Sequence, residues 1–243
     1  MNLIIDIGNT KVKLATFDGE ELRQHWQWDT LDSQKLHSLL QQKKIKHLAI
    51  SSTKGISKKL LGQLNKQVPV LVLEADTPLP ILNRYKTPKT LGKDRLAAVV
   101  GAHHLYPRKN CLVIDVGTCI TYDLITRKGE YLGGGISPGL DMRLKAMHTF
   151  TAKLPLVKRN KQTQLIGNTT VSALRSGALL GAVYEVEGMI AAYRKNYKPI
   201  QVLLTGGGLD FFVYHLKTKI FACPHLVRIG LNKILNYNAE NKK

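Results

Sequence analysis

The chain has 243 residues, 44% of them hydrophobic and 22% charged, enough for one large domain or two of about 120 residues each and unlike a disordered chain. Its formal net charge is +19, from 36 Lys and Arg against 17 Asp and Glu; this attracts anions of any size but says little about fold. No apolar run reaches the ~20 residues that cross a bilayer and no basic-then-apolar leader opens the chain. The three cysteines, Cys111, Cys119 and Cys223, form no Cys-x-x-Cys pair, which argues against a zinc site or a disulfide scaffold and fits a reducing cytoplasm.

Residues 2–6 read as a buried strand and 11–17 as a second. Asp18-Gly19 marks a hairpin turn and 22–28 the returning strand. Residues 31–43 have helical spacing, with Leu36, Leu39 and Leu40 on one face. Strands follow at 47–51 and 68–73, with a helix at 57–66 between them. Residues 76–93 hold Pro78, Pro80 and Pro88 and no apolar period, the mark of a surface loop or lid. Residues 95–105, His103 and His104 among them, form a helix that stops at Pro107.

The second half opens on the same plan. Strands are expected at 111–115 and 120–126, with a turn at Arg127-Lys128-Gly129 and a return at 130–132. Gly133-Gly134-Gly135 leads into Ile136-Ser137-Pro138-Gly139, and helices are expected at 140–150 and 170–193. Residues 201–204 read as a strand running into Thr205-Gly206-Gly207-Gly208. Residues 226–229 read as a last short strand before a C-terminal helix, and the chain ends on Lys242-Lys243.

Two near-identical phrases carry the chemistry. Leu3-Ile4-Ile5-Asp6-Ile7-Gly8-Asn9-Thr10 recurs as Leu112-Val113-Ile114-Asp115-Val116-Gly117-Thr118-Cys119. A strand that stops at Asp-x-Gly puts a carboxylate at its end, then bends where glycine is cheap and turns N–H groups and a hydroxyl outward. Such a tip suits phosphate and a hard cation that prefers oxygen. One such tip alone is a plain turn; two, each followed by a hairpin, predict related half-domains at 1–110 and 111–243 with one nucleotide between them. Lys11 or Lys13 could add a point charge against phosphate. Asp94, in Gly92-Lys93-Asp94-Arg95, falls in the first turn of its helix, where the dipole favours its ionised form. It reads as a capping acid or as an acid facing an acceptor alcohol, with Arg84, Tyr85 and Arg95 as substrate contacts. No Gly-Lys-Ser/Thr Walker loop is present, and no nucleic-acid-binding motif accompanies the charge.

Together, and in this order and spacing, these segments resemble type III pantothenate kinases, a family of the actin-like ATPase and sugar-kinase superfamily. The resemblance runs from Asp6-Ile7-Gly8-Asn9-Thr10 to Val227-Arg228-Ile229-Gly230-Leu231. It implies an α/β fold of two actin-like (ribonuclease H-like) half-domains, each a mixed sheet flanked by helices. It implies ATP-dependent phosphorylation of pantothenate in the cytoplasm, at the first committed step towards coenzyme A. By position, Asp6, Ile7, Gly8, Asn9, Thr10, Lys11, Val12, Lys13 and Thr118 would meet ATP. Asp6 would hold Mg²⁺, directly or through water, and Asp115 a monovalent cation, potassium or ammonium. Asp94 would be the general base. Tyr85, Gly92, Lys93, Asp94, Arg95 and Thr170 would meet pantothenate. A homodimer is implied, the second subunit completing the substrate pocket. Thr169 stands where the family commonly has asparagine, and Cys119 where it has alanine or serine. Two other readings share the fold: a kinase for another small hydroxy acid, and a transcription accessory factor. An actin-type structural protein would need subdomains for which the chain is too short.

Overall fold

The computed structural model describes residues 1–241; Lys242 and Lys243 lie outside them. By its internal contacts the chain divides into two compact units. Among the described residues, one comprises Met1–Arg108, Ile125–Leu132 and 225–241, the other Lys109–Leu124 and Gly133–Pro224.

The first unit begins with β1 (Asn2–Ile7), β2 (Val12–Asp18) and β3 (Glu21–Trp28), followed by α1 (Ser33–Gln42), β4 (His47–Ser52), α2 (Lys58–Asn65) and β5 (Val70–Val72). The sheet order is β3-β2-β1-β4-β5. β1 is antiparallel to β2 and parallel to β4. Alternation along β1 sorts its side chains. Leu3 and Ile5 join Val12, Leu14, Leu48 and Ile50 in a core closed by Leu36, Leu39 and Leu40 of α1 and Leu64 of α2. Asn2 points the other way and donates to Asn232 Oδ1 at 2.8 Å and Asn236 Oδ1 at 2.7 Å. Both acceptors belong to α8 (Leu226–Glu240), so α8 covers the even-numbered face of β1, the face that carries Asp6.

The segment 76–93, expected as an irregular loop or lid, is fastened in several places. Asn238 donates to the Pro78 carbonyl at 2.9 Å. β6 (Leu82–Asn83) pairs with Glu130 and Tyr131, and Arg84 bonds Glu130 at 3.0 Å. A short 3-10 turn (Pro88–Thr90) then leads into α3 (Lys93–Leu105).

The second unit is built around β7 (Asn110–Val116), most of β8 (Cys119–Ile125), the later part of β9 (Glu130–Pro138), β10 (Ile200–Thr205) and β11 (Phe221–Ala222). The second sheet runs β11-β10-β7-β8-β9-β6, with β10 parallel to both β7 and β11. Its first five strands repeat the order of the first sheet, β7 standing for β1. Side chains such as Leu112, Ile114, Val183, Val186 and Phe212 fill its core. Helices α4 (Leu140–Thr149), α5 (Thr170–Arg175), α6 (Gly181–Asn196) and α7 (Leu209–His215) complete it. No helix among the described residues is long and apolar enough to cross a membrane.

Three expectations change. The helix expected at 170–193 is α5 and α6 joined by a π-helical turn, Ser176–Leu180. α7, one glycine beyond Gly206-Gly207, is too short to register as a period. The strand expected at 226–229 is the first turn of α8. Val227 and Ile229 are β-branched, but Leu226, Leu231, Ile234 and Leu235 are buried at helical spacing, and tertiary packing overrides a weak local preference.

α8 packs on α3 through facing glycines. A Cβ at Gly230 would lie 1.8 Å from the Ala97 carbonyl oxygen, and one at Gly101 would lie 2.5 Å from that of Leu226. Gly230→Ala therefore forces the helices apart and should lower stability by about 1–3 kcal/mol in urea denaturation. Gly62→Ala, in α2 with nothing near its added Cβ, should instead stabilise by about 0.4–1 kcal/mol. Equal effects at the two positions would refute the packing account.

Candidate active site

Asp6, next to last in β1, has 8% of its surface exposed. Register places Lys13 beside it on β2 and Ser51 on β4. Burial pushes its carboxyl up from 3.8 to about 6; Lys13 pulls it back, Asp94 adds to the rise and Arg228 opposes it. Two carboxylates and two cations thus act on one another at the end of one strand. Of the two candidate lysines, Lys13 is the one that faces Asp6, because Lys11 is engaged by Asp29.

Past Asp6, the Gly8 N–H donates to the Lys11 carbonyl at 3.1 Å and closes the turn. Asn9 and Thr10 are exposed at its tip and Ile7 is partly exposed. Val12 turns its side chain into the core, so only its backbone can serve a ligand. The next parallel strand also contributes to the tip. Lys54 Nζ donates to the Asn9 carbonyl at 2.7 Å, and Thr53 Oγ1 bonds the Asn9 side chain at 3.3 Å.

Arg228 is 6% exposed in the first turn of α8. Burial lowers its pKa and Asp6 raises it. Its guanidinium also contacts His225 Nδ1. Burial, then Arg228, His25 and Lys13, press the His225 imidazole down to about 4, so it is neutral near neutral pH.

Asp94 lies in the first turn of α3, and its Oδ1 accepts the Arg95 N–H at 2.8 Å. The cap residue is Gly92, and a Cβ there would come within 2.6 Å of Asp94 Oδ1; glycine lets the carboxylate fold back over the helix start. Arg95 is 6% exposed. Its guanidinium carbon lies 5.7 Å from the centre of the Tyr85 ring, which stacks on Tyr131 at 6.1 Å and 6°. Lys93 turns to Glu74 at 2.7 Å. The unit therefore gathers Asp6, Lys13, Asp94, Arg95 and Tyr85.

In the second unit Asp115 ends β7 in register with Thr205 of β10, as Asp6 is with Ser51. Gly206 follows with φ at +99°, and a Cβ there would lie 2.4 Å from Asp115 Oδ1; only glycine allows this approach. Thr118 is exposed at the tip, and its carbonyl accepts the Gly139 N–H at 3.0 Å. Thr170 opens α5, where Thr169 caps the helix through Ser172 in a capping box. Thr170 therefore stands on a different element from Asp115 and Thr118.

Sequence reading missed Arg228, His225, Lys54 and Ser51. Arg228 carried no signal because its segment looked extended. Ser51 sits near the end of a parallel strand, and register alone brings it to Asp6; Lys54, just past that strand, reaches the tip at the Asn9 carbonyl. The raised Asp6 pKa gives a stability test. The folded chain holds an extra proton between about pH 4 and 6, so this group favours folding below that window and its contribution falls as pH rises through it. Asp6→Asn should therefore stabilise the ligand-free protein by up to about 3 kcal/mol near pH 8 and by almost nothing near pH 4. Urea titrations of both proteins across this range read the difference, and one independent of pH would refute the burial account.

The family model for type III pantothenate kinase matches residues 2–192. A type III pantothenate kinase of Bacteroides fragilis is 46% identical over 239 residues, covering 98% of each chain. Among solved structures, a Campylobacter jejuni protein described as a Baf family transcriptional activator superposes with a TM-score of 0.63 at 22% identity, covering 98% of this chain and 99% of that one. A ROK hexokinase of Thermus thermophilus superposes with a TM-score of 0.55 at 14% identity, over 98% and 99%. At these identities the two structures speak to the fold alone, which is that of the actin-like ATPases. The chain belongs to the type III pantothenate kinase family, whose reaction is the ATP-dependent phosphorylation that opens coenzyme A biosynthesis.

Proposed function

We propose that Asp94 is the general base that takes the proton of the pantothenate primary hydroxyl, and that the Asp6–Lys13 tip holds the phosphates of ATP. The observation that carries this reading is the convergence of Asp6, Lys13 and Asp94 in one unit, Lys13 and Asp94 both acting electrostatically on buried Asp6. Phosphoryl transfer has a loose transition state, so positioning and charge neutralisation contribute most of the catalysis. Asp94 aligns the hydroxyl and accepts its proton late in the transfer. The N–H groups of Asn9 and Thr10 and the Thr10 hydroxyl receive phosphate oxygens at the turn that Gly8 closes, Lys13 adds a point charge, and Arg95 above Tyr85 receives the pantothenate carboxylate.

Mg²⁺ fits Asp6. The carboxylate is buried at a cost that a cation would offset, and a hard ion held there by Asp6 would supply charge neutralisation for the phosphates. Potassium or ammonium fits Asp115, an oxygen donor at a strand end beside Thr205 and Gly206; such an ion would add positive charge at that tip.

A homodimer is part of the reading. The second unit exposes Phe150 at 86% and Ile166 at 81%, with Ile136, Leu165 and Tyr184 also open, and Val171 beside Thr170 is half exposed. A second copy would cover this apolar surface and bring Thr170 to a substrate. Light scattering should give twice the chain mass, and a monomer that phosphorylates pantothenate at full rate would remove this element.

A coupled assay with pantothenate against other small hydroxy acids, with potassium, ammonium or sodium, tests the rest. Pantothenate should be preferred and potassium or ammonium required; full turnover in sodium alone would count against the cation role of Asp115. Asp94→Asn should lower kcat roughly 10²–10⁴-fold while ATP still binds. A near-normal kcat would remove Asp94 from the mechanism.

A further inference from the structure

A polar knot in the second unit lies outside every residue assigned above. Tyr122 on β8 donates its hydroxyl to Glu185 Oε1 at 2.7 Å, and Ser137 on β9 donates to the same oxygen at 2.5 Å. Arg143 on α4 bonds Glu185 Oε2 and donates through Nε to the Pro138 carbonyl at 2.8 Å. Burial alone would raise the Glu185 carboxyl, but the bonds from Ser137, Tyr122 and Arg143 outweigh it and hold it below the usual carboxylate range. The same burial and carboxylate push the Tyr122 hydroxyl up, so it remains a donor. One carboxylate from α6 thus ties together β8, the end of β9 and the start of α4.

What the knot holds is the turn Ser137-Pro138-Gly139, and that turn presses on the Asp115 tip. Gly139 donates its N–H to the Thr118 carbonyl at 3.0 Å. A Cβ on Gly139 would lie 2.4 Å from that oxygen and 2.5 Å from the Gly117 carbonyl. Upstream, a Cβ on Gly134 would lie 1.5 Å from the Tyr122 carbonyl oxygen. The strand carrying Ser137 therefore lies flush against β8, with no slack for the turn to drift. Contacts of this kind fix where the tip's carbonyls and hydroxyl point.

We infer that Glu185 is a positioning residue for the Asp115–Thr118 tip, acting through Ser137 and Arg143 on the Ser137–Gly139 turn. Its carboxylate oxygens are engaged by Tyr122, Ser137 and Arg143. Its connection to the reaction rests on the reading that this tip serves ATP and a monovalent cation; the mechanical brace does not.

The test uses the whole chain as Glu185→Ala and Glu185→Gln, with Asp115→Asn as comparison. The first readout, on ligand-free protein, is amide hydrogen exchange by NMR. Gly139 should exchange at least roughly tenfold faster in Glu185→Ala, while Leu112, Val113 and Ile114 in β7 keep their protection. The second readout is initial rate against potassium concentration. Half-activation should move up about tenfold, within the range of lost outer contacts at metal sites, and kcat at saturating potassium should change much less. Glu185→Gln keeps an acceptor for Tyr122 and Ser137 and should fall between parent and Glu185→Ala; it carries both readouts if the alanine variant does not fold. Unchanged exchange at Gly139 overturns the brace. So does an unchanged potassium response in Glu185→Ala when Asp115→Asn does shift it. If Asp115→Asn shifts nothing, the cation reading of the tip falls, and the exchange result alone decides the brace.

Discussion

A carboxylate fixed at the inner end of a parallel strand is the constraint on which the rest depends. Asp6 cannot leave its place, because β1 is held by β2 on one side and β4 on the other, with α8 across its face. Burial makes its charge expensive. Lys13 and Arg228 lower that cost, and Asp94 raises it. The ligand-free site therefore carries an unfavourable charge arrangement that a bound cation with phosphate would relieve. Such arrangements recur at functional sites more than in structural ion pairs.

The glycines make this possible elsewhere in the chain. Gly101 and Gly230 let α3 and α8 approach until backbone nearly touches backbone, and those helices carry Asp94 and Arg228 to the Asp6 face. Gly206 and Gly139 do the corresponding work at Asp115, one beside its carboxylate and the other beneath Thr118. Close backbone approach is thus used twice at each site. The side chains that matter reach their places because the elements bearing them have none in the way.

The two sheets share a strand order, and each tip acid has a hydroxyl residue beside it on the next parallel strand, Ser51 for Asp6 and Thr205 for Asp115. The tips differ in their surroundings. Asp6 has cations from β2 and α8 against it. Asp115 has glycine backbone against it, and its loop is braced by a turn that Glu185 and Arg143 hold.

Local chemistry made much of this legible in the sequence. Asp-x-Gly after an apolar run specifies a strand, a stop and a turn, because alternation, glycine and a short polar side chain each act over a few residues. The hairpins after both tips, the helix beginning at Lys93 and the repeat itself follow from the same short-range rules. What only the tertiary structure decided needed contacts between distant residues. Val227 and Ile229 look extended until Ala97 and Gly101 of another helix hold α8 against them. Lys13 is distinguished from Lys11 because register pairs it with Asp6, while Asp29, just past β3, occupies Lys11. Ser51, Lys54, Arg228 and Glu185 carry no local mark, since strand register and helix packing place them, and these are set by the core rather than by the neighbours of each residue in the chain.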